Sequence, residues 1–164
     1  MNDIKKERID LDQLYPTIKA VLDAGGDFLL FPNGTSMLPT LRPGLDSVML
    51  SPPKELKRGS LILYRRASGA FVLHRIVSVS KDGSFILRGD NQYFNETGIQ
   101  KSQVIAVVNR YFRGRSEISC ASPSHRLYLL LRGLTYPIRF LFVRGIAKIK
   151  RSMKGDGGFW RKRK

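Results

Sequence analysis

The sequence predicts a mostly antiparallel β domain that follows one helix and precedes a basic helical segment, and three observations support this. Six short apolar runs separated by turn residues fill the middle of the chain, which is the pattern of successive strands. Apolar residues at helical spacing precede these runs, and an apolar stretch interrupted by arginines follows them. The chain has 164 residues, which suits a single core with tails.

The N-terminal helix is predicted by apolar residues that recur on one helical face: Leu11, Leu14, Ile18, Val21 and Leu22. Gly25 and Gly26 follow at a position typical of a helix end, so we expect a helix over 11–24. The strand pattern then runs over about 27–113. We therefore divide the chain into an N-terminal helical segment, 1–26, a β domain, 27–116, and an amphipathic basic segment, 117–164.

Charge and cysteine content narrow the possible partners and compartments. Twenty-nine basic residues against 13 acidic ones give a formal charge of +16, which favours partners that carry phosphate, either nucleic acid or anionic lipid. The single cysteine, Cys120, excludes a disulfide within the chain, and we expect no metal and no cofactor. The charged N-terminus has no apolar run or cleavage site after it, so we expect no secretion signal.

The stretch 127–146 is apolar, but three arginines interrupt it, and it lacks the roughly 18 uninterrupted apolar residues of a spanning helix. Pro137 breaks the helical pattern further, which favours short helices lying in the headgroup layer. We expect peripheral attachment to an anionic membrane, at its cytoplasmic rather than its extracytoplasmic face, although an internal insertion route would reverse this placement. The residues expected to contact membrane or anions are Arg132, Arg139, Arg144, Trp160 and Arg161. Nucleic-acid binding through the same tail is the alternative, and His125 is expected to be a surface or capping residue.

A candidate nucleophile lies in the turn-rich segment 33–41, where Ser36 follows an apolar strand. A serine hydroxyl needs a neighbouring base, and His74 in the run FVLHRIV has an imidazole whose ordinary pKa, about 6.5, suits proton transfer. Asp90 ends the strand that follows the hairpin of His74, so we expect it to orient the imidazole. Taken singly, each of these residues is more typical of a turn or of strand packing.

Four segments in a fixed order strengthen this interpretation. They are SMLPTL at 36–41, PGLDSV at 43–48, RGSLILY at 58–64, and HRIV at 74–77 with RGDNQ at 88–92. Together they resemble the type I signal peptidases, over about half of the chain. The residue at the base position is histidine, as in the endoplasmic-reticulum-type branch, whereas the bacterial branch has lysine.

The resemblance implies a signal-peptidase-type β fold and a catalytic Ser36, His74 and Asp90. It places Thr35, Met37 and Pro39 with Ser36 in oxyanion stabilisation or substrate binding. Two features differ from the family pattern. Gly34 occupies a position where the family often has a hydroxyl residue for the oxyanion hole, and the helix 11–24 replaces the usual spanning helix. Because a histidine base needs no desolvation, we expect a site that is more open to water.

The sequence therefore predicts a serine endopeptidase that cuts a signal, leader or precursor peptide after small residues. A second hypothesis is a self-cleaving repressor, but that family uses a Ser-Lys pair and needs more DNA-binding helix than 1–26 provides. A third is an inactive signal-peptidase-like scaffold that binds anionic membrane or nucleic acid through its basic tail. In that case Phe159 and Trp160 would stack on bases or lie among headgroups.

Overall fold

The computed structural model describes residues 11–134 and 136. An eight-stranded, antiparallel sheet dominates these residues, with one helix before it and a helical segment after it. The predicted mostly β fold class is thereby confirmed.

The first helix and the strands follow one another in chain order: α1 Leu11–Asp23, β1 Phe28–Leu30, β2 Asp46–Ser51, β3 Leu61–Arg65, β4 Phe71–Val79, β5 Phe85–Arg88, β6 Glu96–Ile99, β7 Val104–Arg113 and β8 Ser116–Ser119. One 3-10 turn, Lys101–Gln103, joins β6 to β7. In the sheet the strand order is β1-β2-β7-β3-β4-β5-β6, and β8 pairs with β7. The strand β8 therefore extends the sheet beyond residue 116, where the sequence placed the domain boundary.

Helix α1 packs on the sheet through the apolar face that its sequence pattern predicts. Ile18 and Leu22 of this face are buried in the main core cluster. Gly25 has φ +80, a conformation that side chains other than glycine rarely adopt, and its N–H donates to the Leu22 carbonyl at 2.9 Å. The helix accordingly ends at Asp23, one residue before the predicted end.

Strand β3 lies between β7 and β4 in the sheet, and it is buried on both faces because a core cluster covers each face. Leu61 and Leu63 join the core cluster that contains α1, whereas Ile62 and Tyr64 join a second cluster on the other face. His74 of β4 stands opposite Ile62 in the antiparallel register. The register therefore places the imidazole on the face of the second cluster, where only 1% of the residue is exposed.

The chain divides into two compact units, one ending at His125 and the other beginning at Arg126. Of the two roles expected for His125, the surface position is wrong, because the residue is buried. Its N–H donates to Ser122 Oγ at 3.2 Å near the start of the helix, and its ring lies edge-on to Tyr111 of β7 with centroids 5.7 Å apart. Residues 123–134 are helical. Among the helices that the structure describes, none is both long and apolar enough to cross a bilayer.

Candidate active site

Ser36 begins a turn, residues 36–40, shortly after strand β1, and two contacts hold this turn in place. We refer to it as the nucleophile turn, after the role predicted for Ser36. The Ser36 carbonyl accepts a hydrogen bond from the Asn91 N–H at 2.7 Å. The next residue, Met37, is buried in the main core, and its Sδ receives the Asp90 N–H at 3.5 Å. Ser36 itself is half-buried. The turn is thus fixed to the segment that follows β5.

His74 projects from β4 toward Tyr64 and Glu96. Its Nδ1 lies 3.3 Å from the Tyr64 hydroxyl and 3.3 Å from Glu96 Oε1. Tyr64 is a diagonal cross-strand neighbour of His74, since Tyr64 pairs with Val72 and Ile62 pairs with His74. Glu96 is the first residue of β6, two strands away in the sheet.

The Glu96 carboxylate accepts hydrogen bonds from two other side chains besides its contact with the imidazole. The Tyr64 hydroxyl donates to Oε2 at 2.7 Å, and Arg66 donates to both oxygens of the carboxylate. Burial opposes ionisation of this carboxyl, but the hydrogen bonds from Arg66 and Tyr64 outweigh that effect, so its pKa is lowered. Burial and the bond to Glu96 both raise the pKa of Tyr64, which keeps its proton.

These contacts fix the tautomer of His74. The Tyr64 proton is directed to Glu96, so both groups near Nδ1 present oxygen lone pairs to it. Nδ1 of the neutral ring therefore carries the hydrogen, and Nε2 carries the lone pair. This is the tautomer that accepts a proton at Nε2, as a general base requires.

Burial lowers the pKa of His74 from its ordinary value of 6.5, and the negative charge of Glu96 opposes this shift. The imidazole is consequently neutral at pH 7 and can accept a proton. The imidazole itself is not open to water, because only 1% of His74 is exposed.

Gly89 lies between the nucleophile turn and the imidazole. A Cβ at this position would be 2.7 Å from the Ser36 carbonyl oxygen and 3.0 Å from His74 Nε2. The absence of a side chain lets the two segments approach each other. Ser36 and His74 also line one cavity of about 1150 Å³, whose walls are mainly apolar side chains of α1, β1, β3 and β4.

The structure places Asp90 in a different set of contacts from the one that the sequence predicted. Its carboxylate receives two hydrogen bonds from Arg75, at 3.0 and 2.8 Å, and one from the Thr40 hydroxyl. The carboxylate found at His74 Nδ1 is that of Glu96, which the sequence analysis did not name. Asp90 thus joins the end of the nucleophile turn, at Thr40, to strand β4, at Arg75.

Of the other predicted site residues, some lie at the cavity, some lie away from it, and some lie outside the described part of the chain. Met37 lines the cavity, but Thr35 and Pro39 are exposed and do not belong to the cavity wall formed by the described residues. Arg132 is half-buried in the C-terminal helix. The remaining predicted contact residues lie outside the described part of the chain: Arg139, Arg144, Trp160 and Arg161.

Comparison with known proteins finds no family model that matches the chain, and it finds no curated protein of similar sequence.

Replacement of Gly89 by alanine tests the close approach at the site. The added methyl group would collide with the Ser36 carbonyl, so the turn and the imidazole must separate. We expect kcat/KM for peptide cleavage to fall by about 10²-fold or more. Gly34→Ala is the matched control, since its Cβ would meet only Ser36 Oγ, at 4.0 Å. Wild-type activity in Gly89→Ala would contradict the described geometry.

The variants Glu96→Gln and Asp90→Asn distinguish the roles of the two carboxylates, because we expect them to change the pH profile of kcat/KM differently. Glu96 opposes the burial that lowers the pKa of His74, so Glu96→Gln should move the acid limb of kcat/KM to lower pH. We also expect kcat to fall on the order of 10³-fold, because the imidazolium loses its counter-charge.

Asp90→Asn should instead lower the melting temperature, because loss of one partner of a buried ion pair costs about 3–5 kcal/mol. Its acid limb should move less than that of Glu96→Gln. If the acid limb of kcat/KM moved strongly in Asp90→Asn and did not move in Glu96→Gln, Asp90 rather than Glu96 would be the group that orients His74.

Proposed function

We propose that this protein is a serine peptidase of the signal-peptidase type, with Ser36 as nucleophile, His74 as general base and Glu96 as the group that orients the base. The observation that carries the proposal is the contact of His74 Nδ1 with Glu96 and Tyr64, in a cavity that Ser36 also lines. The ordered segments that resemble signal peptidases support it independently. This function revises the predicted catalytic set only at its third member.

In the proposed acylation step, Ser36 Oγ attacks the carbonyl carbon of the scissile peptide bond while its proton passes to His74 Nε2. The tetrahedral oxyanion then collapses, the C–N bond breaks, and the imidazolium returns the proton to the leaving amine. The charge on Glu96 stabilises the imidazolium that forms between these two events. Arg66 keeps this carboxylate ionised.

In deacylation, a water molecule attacks the ester of Ser36 and gives its proton to the same Nε2. Breakage of the ester bond returns the proton to Ser36 Oγ and releases a carboxylic acid. His74 is neutral at the start of both half-reactions, so its lowered pKa favours activity at and below neutral pH.

The position of β1 favours an extended peptide as the substrate. Strand β1 lies at one end of the strand order in the described sheet, and the nucleophile turn follows it closely. A peptide that adds to this edge through main-chain hydrogen bonds would bring a backbone carbonyl toward Ser36. The apolar walls favour apolar residues in the bound peptide, and the family resemblance implies small residues at positions −1 and −3 from the cut.

The proposed activity is tested by incubating the purified full-length protein with a peptide library made from a digested proteome. Mass spectrometry would then identify new peptide ends. We expect cleavage that disappears in Ser36→Ala and persists in Ser102→Ala, a substitution of an exposed serine on the 3-10 turn. Cleavage that survives in Ser36→Ala would reject the nucleophile, and no cleavage by the wild type would favour an inactive scaffold.

Gly34→Ser is expected to increase activity by providing an oxyanion donor. The space at Gly34 accepts a side chain, because the nearest atom to an added Cβ is Ser36 Oγ at 4.0 Å. A hydroxyl here would stabilise charge in the transition state rather than bind the ground state, so kcat should rise several-fold with little change in KM. Gly34→Ala should not increase kcat, and an equal increase in both variants would rule out the hydroxyl as the cause.

A further inference from the structure

The C-terminal helix exposes an unusual apolar surface. Four leucines that are more than half exposed lie on it: Leu127, 55%; Leu130, 61%; Leu131, 53%; and Leu134, 65%. At 100° per residue, these side chains fall within an arc of about 100° on one face of the helix. We refer to these four residues as the leucine face.

The residues on the opposite side of the same helix are less exposed. His125 is buried, and the other residues of this side are half-buried: Tyr128, Leu129, Arg132 and Tyr136. A helix on the surface of a protein ordinarily turns its leucines inward and its polar side outward. Here four leucines lie together on an exposed face, and a contiguous apolar patch of this kind marks an interaction surface.

Charge indicates which partner covers the leucine face. Residues 126–164 contain twelve lysines and arginines and one acid, Asp156. A second copy of the chain would bring another segment with the same strong positive charge, and the like charges would repel. The partner must therefore be anionic and must also offer an apolar surface.

We propose that the leucine face inserts into an anionic lipid bilayer and that the adjoining basic residues bind the lipid phosphates. A bilayer offers both apolar chains and negative headgroups, whereas nucleic acid attracts the basic residues but leaves most of the leucine surface uncovered. Arg126 adjoins the leucine face and is exposed, so its guanidinium can reach headgroups. This inference does not rest on the proposed peptidase activity.

Sedimentation of the full-length protein with vesicles tests the inference. We expect binding to mixed phosphatidylcholine and phosphatidylglycerol vesicles, and much weaker binding to phosphatidylcholine alone. Added salt should weaken the binding without abolishing it, because salt screens the charges but not the insertion of leucine. Failure to bind the mixed vesicles would overturn the proposal, as would binding of RNA with a steep salt dependence by protein that ignores these vesicles.

A double variant, Leu130→Gln and Leu134→Gln, isolates the leucine face. Glutamine retains helix propensity, and we expect the vesicle partition coefficient to fall by about tenfold or more. The matched control, Leu45→Gln and Val79→Gln, removes two apolar side chains that are exposed in the other unit, at 67% and 48%. Equal loss in both double variants, or wild-type binding by the leucine-face variant, would overturn the proposal. Circular dichroism would confirm that each variant is folded.

Discussion

The alternation of side chains along β4 determines how the candidate site is organised. His74 and Arg75 are consecutive, so they project to opposite sides of the strand, and each meets a different carboxylate. Glu96 contacts the base, and Asp90 binds the arginine. The segment that begins at Gly89 passes close to the imidazole, and its next residue, Asp90, binds Arg75. The backbone N–H of Asp90 also contacts Met37, so this segment holds the nucleophile turn beside His74. A shift of the β4 register by one residue would turn every side chain of the strand to the other face and break both sets of contacts.

The fold class was predictable from the sequence because its signals are local. Apolar spacing and the glycine pair located α1 to within one residue of its observed end, and every strand except β6 and β8 coincides with a short apolar run. Strand β8 was missed because Ser116–Ser119 is short, polar and mostly exposed, and only its pairing with β7 makes it a strand. The burial of His125 was missed for a related reason, since it depends on contact with Tyr111, fourteen positions earlier in the chain.

The candidate site was predictable only in part. Ser36 and His74 lie in segments that indicate their chemistry, and the structure places both in the wall of one cavity. The sequence predicts Asp90 as the orienting group because it follows the strand beside β4, but strand adjacency does not say which side of β4 a side chain reaches. Glu96 lies in a polar stretch that resembles a loop. Its contact with His74 depends on the pairing of Leu87 with Glu96 and on the diagonal placement of Tyr64, and no local pattern encodes either.

In the proposed mechanism, burial of His74 reconciles two requirements that oppose each other in a general base. A base must be neutral before the reaction, and desolvation favours the neutral imidazole. The same group must carry positive charge in the transition state, and the interaction of that charge with Glu96 is stronger in a poorly solvated environment than in water. Arg66 and Tyr64 keep Glu96 negative throughout, so the counter-charge exists before the proton moves. A histidine in this setting acts near neutral pH without the large pKa depression that a lysine base needs. Under the proposed function, histidine at the position where the bacterial branch of the resembled family has lysine is compatible with burial, because an ionised carboxylate lies at Nδ1.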